Sequence, residues 1–506
     1  MKTIRKITSL LLALFIVLGF IVACGNTDSY NIPDNEISDE TSASVDTTES
    51  IGETDRTQVK DNLPDDLDFD GQEIRLLYRS DGAYLNQEIF SDTDTGEVVD
   101  TAIYRRNMSV EERLNIKILP IGVNCDIHSG AEVNSKVKKS VTSGSDDYDI
   151  AANHMSQMTP LAVSGMYANL RALSYLDFDQ PWWATDFMKN LTIYDKCYMM
   201  AGDIGLSMIE STYILYYNKV IYENYFPGTS MYDIINNNIW IIDKMAELSR
   251  TVYSDLNGNN EADKDDQYGY YADIVRTSDG MLGSCNIQFV EINESGDPYF
   301  VLEQNERTFE FIEKVHSLLY DDNQTFIYNS TGLDTENTLG FISGKALFFP
   351  YTMFGAAYLR DMENDWGIIP FPKLNEEQDK YYTTAHNGFS AFAILSSCRY
   401  PDIAAAFCEA MSSESYRYVT PAYYDTALKE KYSRDPETQA MIDQIHGSLY
   451  FDFAYVNSAN FSDVMQQFRD LVQNNKDQAA SALAKKMTTS SKLLEKYLEQ
   501  YKELDT

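Results

Sequence analysis

The 506-residue sequence is poor in positive charge and in histidine, and it has no long apolar run after its first two dozen residues. Lysine and arginine number 40 against 78 aspartates and glutamates, which leaves a formal net charge of −38. This excess of negative charge argues against nucleic acid, and against an anionic membrane surface, as a partner. No later apolar stretch approaches the ~18 residues that a membrane-spanning helix requires.

Motifs of nucleophilic and metal-dependent catalysis are also missing. The sequence contains no HExxH and no GxSxG, and its five histidines are isolated from one another. Apart from Cys24, the cysteines form no CxxC pair, and their odd number rules out complete pairing. They are Cys125, Cys197, Cys285, Cys398 and Cys408. These motifs therefore supply no candidate catalytic residue and no catalytic cofactor.

The N-terminal segment has the pattern of an export signal. Three basic residues fall within the first six positions, and an apolar stretch, too short for a comfortable membrane span, follows from Ile7 to Val22. Residues 21–25 (IVACG) resemble a bacterial lipobox, in which the cysteine thiol is lipidated and the signal is cut before it. The resemblance implies that residues 1–23 are removed and that acyl chains on Cys24 hold the protein at the extracytoplasmic face of the membrane. The alternative is an ordinary signal peptide with an incidental cysteine.

The residues after this cysteine are acidic and rich in serine and threonine. Between Asn26 and Asp66, Tyr30 is the single aromatic residue and apolar side chains are scarce. Such a segment cannot bury enough apolar surface to offset the ordering of its backbone. We therefore predict that residues 24–66 form a disordered, self-repelling tether between the lipid anchor and a folded module.

The folded module begins with alternating strands and helices. Its roughly 440 residues exceed what one core usually organises, so two lobes are expected. The first predicted elements are a strand over Glu73–Tyr78, a helix over Asp100–Leu114, a strand over Ile116–Ile121, a helix over Ala131–Ser143 and a strand over Asp149–Ala152. This βαβαβ opening predicts an α/β fold with a largely parallel sheet. The last third of the chain is predicted to be mainly helical.

Four stretches of the module carry a family resemblance. They are residues 145–150 (SDDYDI) with 161–165 (LAVSG), 213–219 (YILYYNK), 341–347 (FISGKAL) and 366–373 (WGIIPFPK). Their sequences and their order resemble the family 1 extracellular solute-binding proteins, the group that includes maltose-binding protein and other sugar receptors of ATP-driven importers. The resemblance extends over about residues 67–480.

The resemblance implies an α/β, two-lobed periplasmic-binding-protein-like fold. Each lobe would be a mostly parallel sheet flanked by helices, with a helical C-terminal region. Lobe 1 is expected over residues 67–210 and about 387–440, and lobe 2 over residues 211–386 and about 441–506. In such receptors the ligand lies in the cleft between the lobes, which close around it by hinge motion.

The family's cleft positions also imply a set of ligand-binding residues. They are Asn153, His154 and Ser156 after the third strand, Glu210, Ser211 and Tyr213 at a first crossing between the lobes, Tyr351 and Met353 after the strand at 346–349, His386 and Asn387 at a second crossing, and Tyr455 and Asn457 in a late loop. The family often has a stacking aromatic residue where this chain has Met353, so that position departs from the pattern.

One acidic segment resembles a calcium loop of the EF-hand or dockerin type. Its candidate ligands are Asp255, Asn257, Asn259, Glu261, Asp263 and Asp266. Oxygen ligands of this kind suit the hard cation Ca²⁺. Asn260 stands where a glycine is usual, and the last ligand is aspartate instead of a bidentate glutamate. We expect a structural Ca²⁺ here, and the alternative is an acidic, solvated turn.

The aromatic content points to the kind of ligand. The chain has 36 tyrosines, 24 phenylalanines and 4 tryptophans, and aromatic rings stack well on the apolar face of a pyranose. We expect a monomeric solute-binding lipoprotein that captures a carbohydrate and delivers it to the permease subunits of an ABC importer. Two alternatives stay open: an anchored glycan-active enzyme, either a glycoside hydrolase or a lyase, and a surface adhesin that holds glycan without feeding a transporter.

Overall fold

Two large β-sheets with helices packed on them organise the chain. The computed structural model describes residues 55–80, 88–91, 93–125, 130–328, 336–424, 428, 435–474 and 479–504. All of these belong to the unit that begins at Asp55. The predicted signal, Cys24 and the tether up to residue 54 lie outside the described residues.

The strands of the described residues fall into three sheets. They are β1 (Gln72–Ser80), β2 (Ile116–Asn124), β3 (Ile150–His154), β4 (Tyr213–Asn218), β5 (Tyr268–Asp273), β6 (Val290–Ile292), β7 (Pro298–Phe300), β8 (Thr325–Tyr328), β9 (Ala346–Thr352), β10 (Trp366–Ile369) and β11 (Ser390–Ile394). The first sheet has the order β11–β3–β1–β2, and the second has the order β10–β4–β9–β5–β8. The strands β6 and β7 form a separate hairpin.

Each large sheet contains one antiparallel strand, which is the first strand after the chain arrives from the other sheet. In the second sheet β4 runs antiparallel to β9 and β10, and in the first sheet β11 runs antiparallel to β3. The other strand pairs of both sheets are parallel. Because each crossing delivers the chain to the carboxyl edge of a sheet, the next strand must run away from that edge. The predicted two-lobed α/β fold with mostly parallel sheets is confirmed.

Helices flank the sheets and dominate the end of the chain. They are α1 (Val98–Leu114), α2 (Ala131–Ser143), α3 (Met155–Ala162), α4 (Thr185–Leu191), α5 (Ser207–Glu210), α6 (Lys219–Tyr225), α7 (Met231–Asn236), α8 (Ile242–Val252), α9 (Ile274–Ser284), α10 (Glu306–Tyr320), α11 (Glu336–Ile342), α12 (Ala356–Leu359), α13 (Pro401–Glu414), α14 (Pro436–His446), α15 (Phe453–Val456), α16 (Val464–Asn474) and α17 (Ala479–Glu503). A π-helical turn, Ser415–Val419, extends α13.

The helix α10 shows how the sequence builds these elements. Its buried side chains recur at positions i, i+1, i+4, i+7 and i+8 and form one apolar stripe; they are Phe311, Ile312, Val315, Leu318 and Leu319. Each contributes roughly 1.5–3 kcal/mol by leaving water. The side chain of Asn305 caps the first turn by accepting a hydrogen bond from the amide of Arg307, and the extended backbone of Asp321 ends the helix.

The folded region begins before residue 67, which corrects the predicted extent of the tether. Asp61 receives two hydrogen bonds from Arg113, at 2.6 and 2.7 Å, and lies 3.4 Å from Arg417. Leu63 is buried in the core. These contacts join residues that are far apart in the chain, so local composition could not reveal them.

Two remaining expectations concern the cysteine thiols and membrane-spanning helices. Cys197, Cys285, Cys398 and Cys408 are free thiols. Within the ranges that the structure describes, no helix combines the length and the apolar composition needed to cross a membrane.

Candidate functional site

The carboxyl edges of the two large sheets meet the segments that connect them. On the first sheet β3 ends at His154, which pairs with Ser390 at the start of β11. On the second sheet β9 ends at Thr352, which pairs with Tyr213 at the start of β4. Ligands of open α/β sheets bind outside the carboxyl ends of the strands, so these two edges define the candidate site.

The two connecting segments are hydrogen-bonded to each other. We call residues 210–213 the first crossing and residues 384–388 the second crossing; they form an antiparallel bridge. The amide of Tyr213 donates to a carbonyl of the second crossing at 2.9 Å, and the amide of His386 donates to the carbonyl of Ser211 at 2.8 Å. A short bonded pair of this kind can bend as a unit, which suits a hinge.

Two histidines come together beside the two crossings. The ring centroids of His154 and His386 lie 6.5 Å apart, with the rings inclined at 72°. The hydroxyl of Ser156 lies 3.1 Å from Nδ1 of His154, and the amide of Ser156 donates to the carbonyl of Asn387 at 3.3 Å. The structure therefore brings together four of the residues that the sequence placed in the ligand cleft.

Two carboxyl groups lie beside the first crossing. Glu88 is buried and accepts hydrogen bonds from the amide of Ser207 (2.9 Å) and the hydroxyl of Ser390 (2.5 Å). Among the described residues, none forms a side-chain hydrogen bond or ion pair with Glu210, whose backbone amide donates to the carbonyl of Leu206 at 3.0 Å. The Glu210 side chain keeps some exposure, but burial, followed by the charge of Glu88, raises the pKa of Glu210 to about 8. Glu210 therefore holds its proton at neutral pH and can donate a hydrogen bond to a ligand.

The edge of the second sheet carries a packed aromatic wall. The ring of Tyr351 stacks near that of Phe349, with 5.7 Å between the centroids, and the guanidinium carbon of Arg276 lies 4.2 Å from the Tyr351 centroid. Arg276 also donates to Asp273 at 2.7 Å. Only 6% of Tyr351 and 1% of Met353 are exposed. Both are wall residues in this structure, and neither offers an open platform for stacking.

A second aromatic pair, in which Phe354 is partly buried and Tyr358 is exposed, follows this wall by a few residues; we call it the aromatic platform. Phe354 lies in the 3₁₀ turn Met353–Gly355, and Tyr358 lies one turn later in α12. Their ring centroids are 5.5 Å apart in an edge-to-face arrangement, and Tyr358 is 44% exposed. The sequence analysis missed this pair, although two aromatic residues four positions apart after a buried strand were a usable signal.

An ion pair between two helices packs beside Tyr213 of the first crossing. Arg469 in α16 donates to both carboxylate oxygens of Asp279 in α9, at 2.8 and 2.6 Å, and the hydroxyl of Tyr213 lies 3.4 Å from the same carboxylate. The hydroxyl of Tyr455 donates to the carbonyl of Ala385 at 2.9 Å. Burial raises the pKa of both tyrosines well above the ordinary value. Tyr213 and Tyr455 thus hold the crossings in place.

Two predicted ligand residues lie away from this group. Asn153 is fully buried, and its Nδ2 donates to the carbonyl of Gly130 and to Asn134, each at 3.0 Å. Asn457 is also buried and accepts a hydrogen bond from the hydroxyl of Tyr497 at 3.3 Å. Both side chains therefore serve the packing of neighbouring elements in this structure.

The predicted calcium ligands lie in one loop between α8 and β5. Asp255 accepts hydrogen bonds from the amides of Gly258 (2.6 Å) and Asn260 (2.8 Å). Asn260 has a φ of +60°, the left-handed conformation that glycine usually supplies at such a turn. The backbone path therefore accommodates the substitution of asparagine for glycine.

The side chains of this loop satisfy one another. Nδ2 atoms of Asn257 and Asn259 donate to the carboxylate of Asp263, at 3.1 and 2.7 Å. Asp266 is buried and accepts from the amides of Leu256 and Asp263, while Glu261 is exposed. Among the described residues, no three His, Cys, Asp or Glu side chains are grouped to hold a metal ion. To bind Ca²⁺, the side-chain amides of Asn257 and Asn259 would have to rotate so that their oxygens face the ion. The calcium site stays a prediction.

Comparison with known proteins shows the fold. No protein-family model matches the sequence, and no curated protein matches it. Among solved structures, cyclic alpha-maltosyl-1,6-maltose binding protein from Arthrobacter globiformis is 13% identical with a TM-score of 0.57, and the match covers 84% of this chain and 100% of that one. A family 1 extracellular solute-binding protein from Bifidobacterium longum subsp. infantis is 16% identical with a TM-score of 0.51, covering 85% and 99%.

A third similar structure has a different ligand. UgpB from Mycobacterium tuberculosis, solved in complex with glycerophosphocholine, is 12% identical with a TM-score of 0.51, and the match covers 85% of this chain and 99% of that one. The chain therefore has the two-lobed fold of these solute-binding proteins over nearly their whole length. At such low identity the similarity establishes the fold and leaves the ligand to be argued from the site.

Proposed function

We propose that this chain is a solute-binding lipoprotein of the family 1 type that captures a carbohydrate and passes it to the permease of an ABC importer. The observation that carries the proposal is the hinge, in which two hydrogen-bonded crossings join the carboxyl edges of two sheets. A ligand that contacts both edges would favour closure, whereas a ligand that contacts one edge could not shift the equilibrium. The protein would act as a monomer at the extracytoplasmic face, anchored through Cys24.

The groups at the site favour a neutral polyhydroxylated ligand. Phe354 and Tyr358 supply an aromatic platform on the second sheet, and such rings pack against the C–H face of a sugar. The opposite edge supplies hydrogen-bonding groups from His154, Ser156 and Glu210. Among the similar proteins, the one from Arthrobacter globiformis is named for binding a cyclic maltosyl-maltose. We infer binding without chemical turnover.

A binding screen with product analysis tests the proposal. The full chain, purified in detergent with its native N-terminus, would be screened by thermal shift against plant, host and storage glycans. We expect at least one neutral oligosaccharide to raise the melting temperature, with Kd about 1 μM, or about 8 kcal/mol, and to be recovered unchanged. Cleavage of the glycan over time would favour the enzyme alternative. Binding of amino acids or peptides, with no response to any glycan, would contradict the proposal that the ligand is a carbohydrate.

Two variants test the location of the sugar. Phe354→Ala should weaken glycan binding about tenfold because it removes an aromatic contact worth roughly 1–1.5 kcal/mol. The control is Tyr400→Ala, which removes another partly exposed aromatic ring at the start of α13 and should bind like the wild type. Equal Kd values for Phe354→Ala and the wild type in calorimetric titration would show that the aromatic platform does not bind the glycan.

A further inference from the structure

The loop between α8 and β5 contains one of the two Asn-Gly dipeptides in the sequence. They are Asn257-Gly258 in this loop and Asn387-Gly388 in the second crossing. In such a pair the backbone nitrogen of the glycine can attack the asparagine side chain, because glycine has no side chain to shield that nitrogen. Asn257 and Gly258 are both exposed, and a Cβ atom at position 258 would meet no atom within 4 Å. Water therefore has free access to this pair.

The attacking nitrogen is already hydrogen-bonded to a carboxylate. The amide of Gly258 donates to Oδ1 of Asp255 at 2.6 Å. The other oxygen of this carboxylate accepts from the amide of Asn260 at 2.8 Å, so the carboxylate is held in place by two backbone donors. An amide nitrogen becomes nucleophilic as it loses its proton, and a carboxylate within hydrogen-bond reach can take that proton as a general base. Asp255 is therefore placed to activate the nitrogen of Gly258.

The side-chain amide of Asn257 is held at both of its polar atoms. Its Oδ1 accepts a hydrogen bond from the amide of Asn259 at 3.0 Å. Negative charge develops on this oxygen when the nitrogen of Gly258 attacks the side-chain carbon, and an N–H group already aimed at the oxygen stabilises that charge. Nδ2 of Asn257 donates to both carboxylate oxygens of Asp263, at 3.1 and 3.2 Å. The nitrogen that would leave is therefore held beside a second carboxylate.

We propose that the folded loop promotes the deamidation of Asn257. The nitrogen of Gly258 bonds to Cγ of Asn257, and the proton of that nitrogen passes to Asp255. The bond between Cγ and Nδ2 breaks, and the proton reaches the departing nitrogen through water, so that ammonia leaves and a cyclic imide remains. Water then adds to one carbonyl group of the imide and opens the ring, which leaves either aspartate or isoaspartate at position 257. No oxidant or reductant takes part.

The second Asn-Gly pair has different surroundings and serves as an internal control. The amide of Gly388 donates to Nδ1 of His386 at 3.0 Å. A Cβ atom at position 388 would lie 2.7 Å from that nitrogen and 3.2 Å from Nε2 of His154, so the pair is enclosed by two imidazole rings. The carbonyl of Asn387 accepts from the amide of Ser156 at 3.3 Å, and β11 begins two residues after the glycine. These contacts restrict the backbone movement that ring closure requires.

Mass spectrometry of the full chain tests the proposal. The protein would be incubated with chelator for several weeks at about pH 7.4 and digested with trypsin, which places the two pairs in different peptides, residues 251–264 and 381–399. We expect Asn257 to be converted at least about tenfold faster than Asn387, with isoaspartate among the products because the imide yields it. In the chain unfolded in guanidinium, Asn257 should react more slowly than in the folded protein. Equal or slower conversion of Asn257 in the folded chain would overturn the proposal.

Two variants of the loop test the role of the carboxylate. Asp255→Asn keeps an oxygen that can accept from the amide of Gly258 but removes the base, so conversion of Asn257 should slow at least about tenfold. The control is Asp265→Asn, which removes the same charge from the same loop; the carboxylate of Asp265 accepts from Nζ of Lys345 at 3.2 Å. This variant should react like the wild type. Unchanged conversion in Asp255→Asn, or equal slowing in both variants, would contradict the role of Asp255.

Deamidation also changes what the loop can bind. The hydrogen bonds from Nδ2 of Asn257 to Asp263 are lost, and a new carboxylate faces the old one. Added carboxylate charge strengthens the binding of Ca²⁺, so Asn257→Asp should bind Ca²⁺ with a Kd about tenfold lower than the wild type does. This readout rests on the predicted calcium site. Equal Kd values would contradict the consequence for binding, and if neither protein binds Ca²⁺ the calcium site fails while mass spectrometry still decides the deamidation.

Discussion

At the scale of single residues, the charged groups of the site are paired or neutral apart from Glu88, which keeps its charge and accepts two hydrogen bonds. Asp279 is bound by Arg469, Asp273 is bound by Arg276, and Glu210 keeps its proton. An uncompensated charge held away from water costs several kcal/mol, so this arrangement leaves a site of dipoles and hydroxyl groups with little net charge. Such a site suits an uncharged polar ligand better than an anionic one.

A second residue-scale argument concerns the anchor at Cys24. A thioether to a lipid needs a thiol, which serine cannot supply. We expect Cys24→Ser to lose incorporation of a fatty-acid probe in cells and to keep its signal uncleaved at this site. The control Cys125→Ser retains every other thiol and should be labelled like the wild type. Equal labelling of Cys24→Ser and the wild type would contradict the lipid anchor.

At the scale of elements, local periodicity predicted the opening strands and helices, while long-range contacts decided how the strands are arranged. The apolar stripe of α10 can be read from neighbouring residues, as can the strand β1. The antiparallel direction of β4 and β11 depends on where each crossing delivers the chain, and no local pattern records it. The same limit affected the tether, whose last residues are held by arginines that lie far along the chain.

The candidate site, like the fold, could be predicted in part from local sequence, whereas the rest depends on long-range contacts. The sequence pointed to Tyr351, which lies near the end of β9, but it could not show that this ring is packed in the wall. Tyr351 is packed between Phe349 and Arg276, and the guanidinium comes from α9, some seventy-five residues earlier in the chain. Phe354 lies in the 3₁₀ turn that follows the strand and Tyr358 lies in α12, and both are more exposed than Tyr351.

The loop between α8 and β5 gives the prediction at this scale. If Asp255, Asp263 and the nearby asparagines bind Ca²⁺, chelator should lower the melting temperature and added Ca²⁺ should restore it, by mass action on the folded state. At a free Ca²⁺ concentration of 100 times Kd, the stabilisation would be about 2.7 kcal/mol. Asp255→Ala should abolish the response, and Asp361→Ala, at an exposed site elsewhere, should not. A wild-type melt that ignores chelator would identify the loop as a polar turn.

At the scale of the whole molecule, buried carboxyl groups make folding take up protons. Burial raises the pKa of Asp203 to about 7 and, with the charge of Glu88, that of Glu210 to about 8. In the unfolded chain such groups lose their protons near pH ~4. Between about pH 4 and about pH 8 the folded state therefore holds more protons, and the free energy of unfolding falls as the pH rises.

Asp61 acts in the opposite sense. Burial would raise the pKa of Asp61, but hydrogen bonds from Arg113 and Ser413, together with the charges of Arg113 and Arg417, outweigh burial and lower it to about 2. Its contribution to stability is complete above about pH 4 and is lost as the pH falls toward about 2. The two effects together place the stability maximum in mildly acidic solution.

We therefore expect Tm to be highest near about pH 5 and to decline toward about pH 8.5, a direction that the formal charge of −38 reinforces because repulsion grows as carboxyl groups ionise. Glu210→Gln mimics the protonated acid, so it should raise Tm by roughly 1–3 °C at about pH 8.5 and leave Tm almost unchanged at about pH 5. Glu313→Gln, an exposed carboxyl in α10, is the matched control and should follow the wild type. Calorimetric scans of the three proteins across this range decide the matter. A Tm that rises from about pH 5 to about pH 8.5 would contradict the predicted maximum, and a Glu210→Gln profile parallel to the wild type would show that the pKa of Glu210 is not raised in the folded protein.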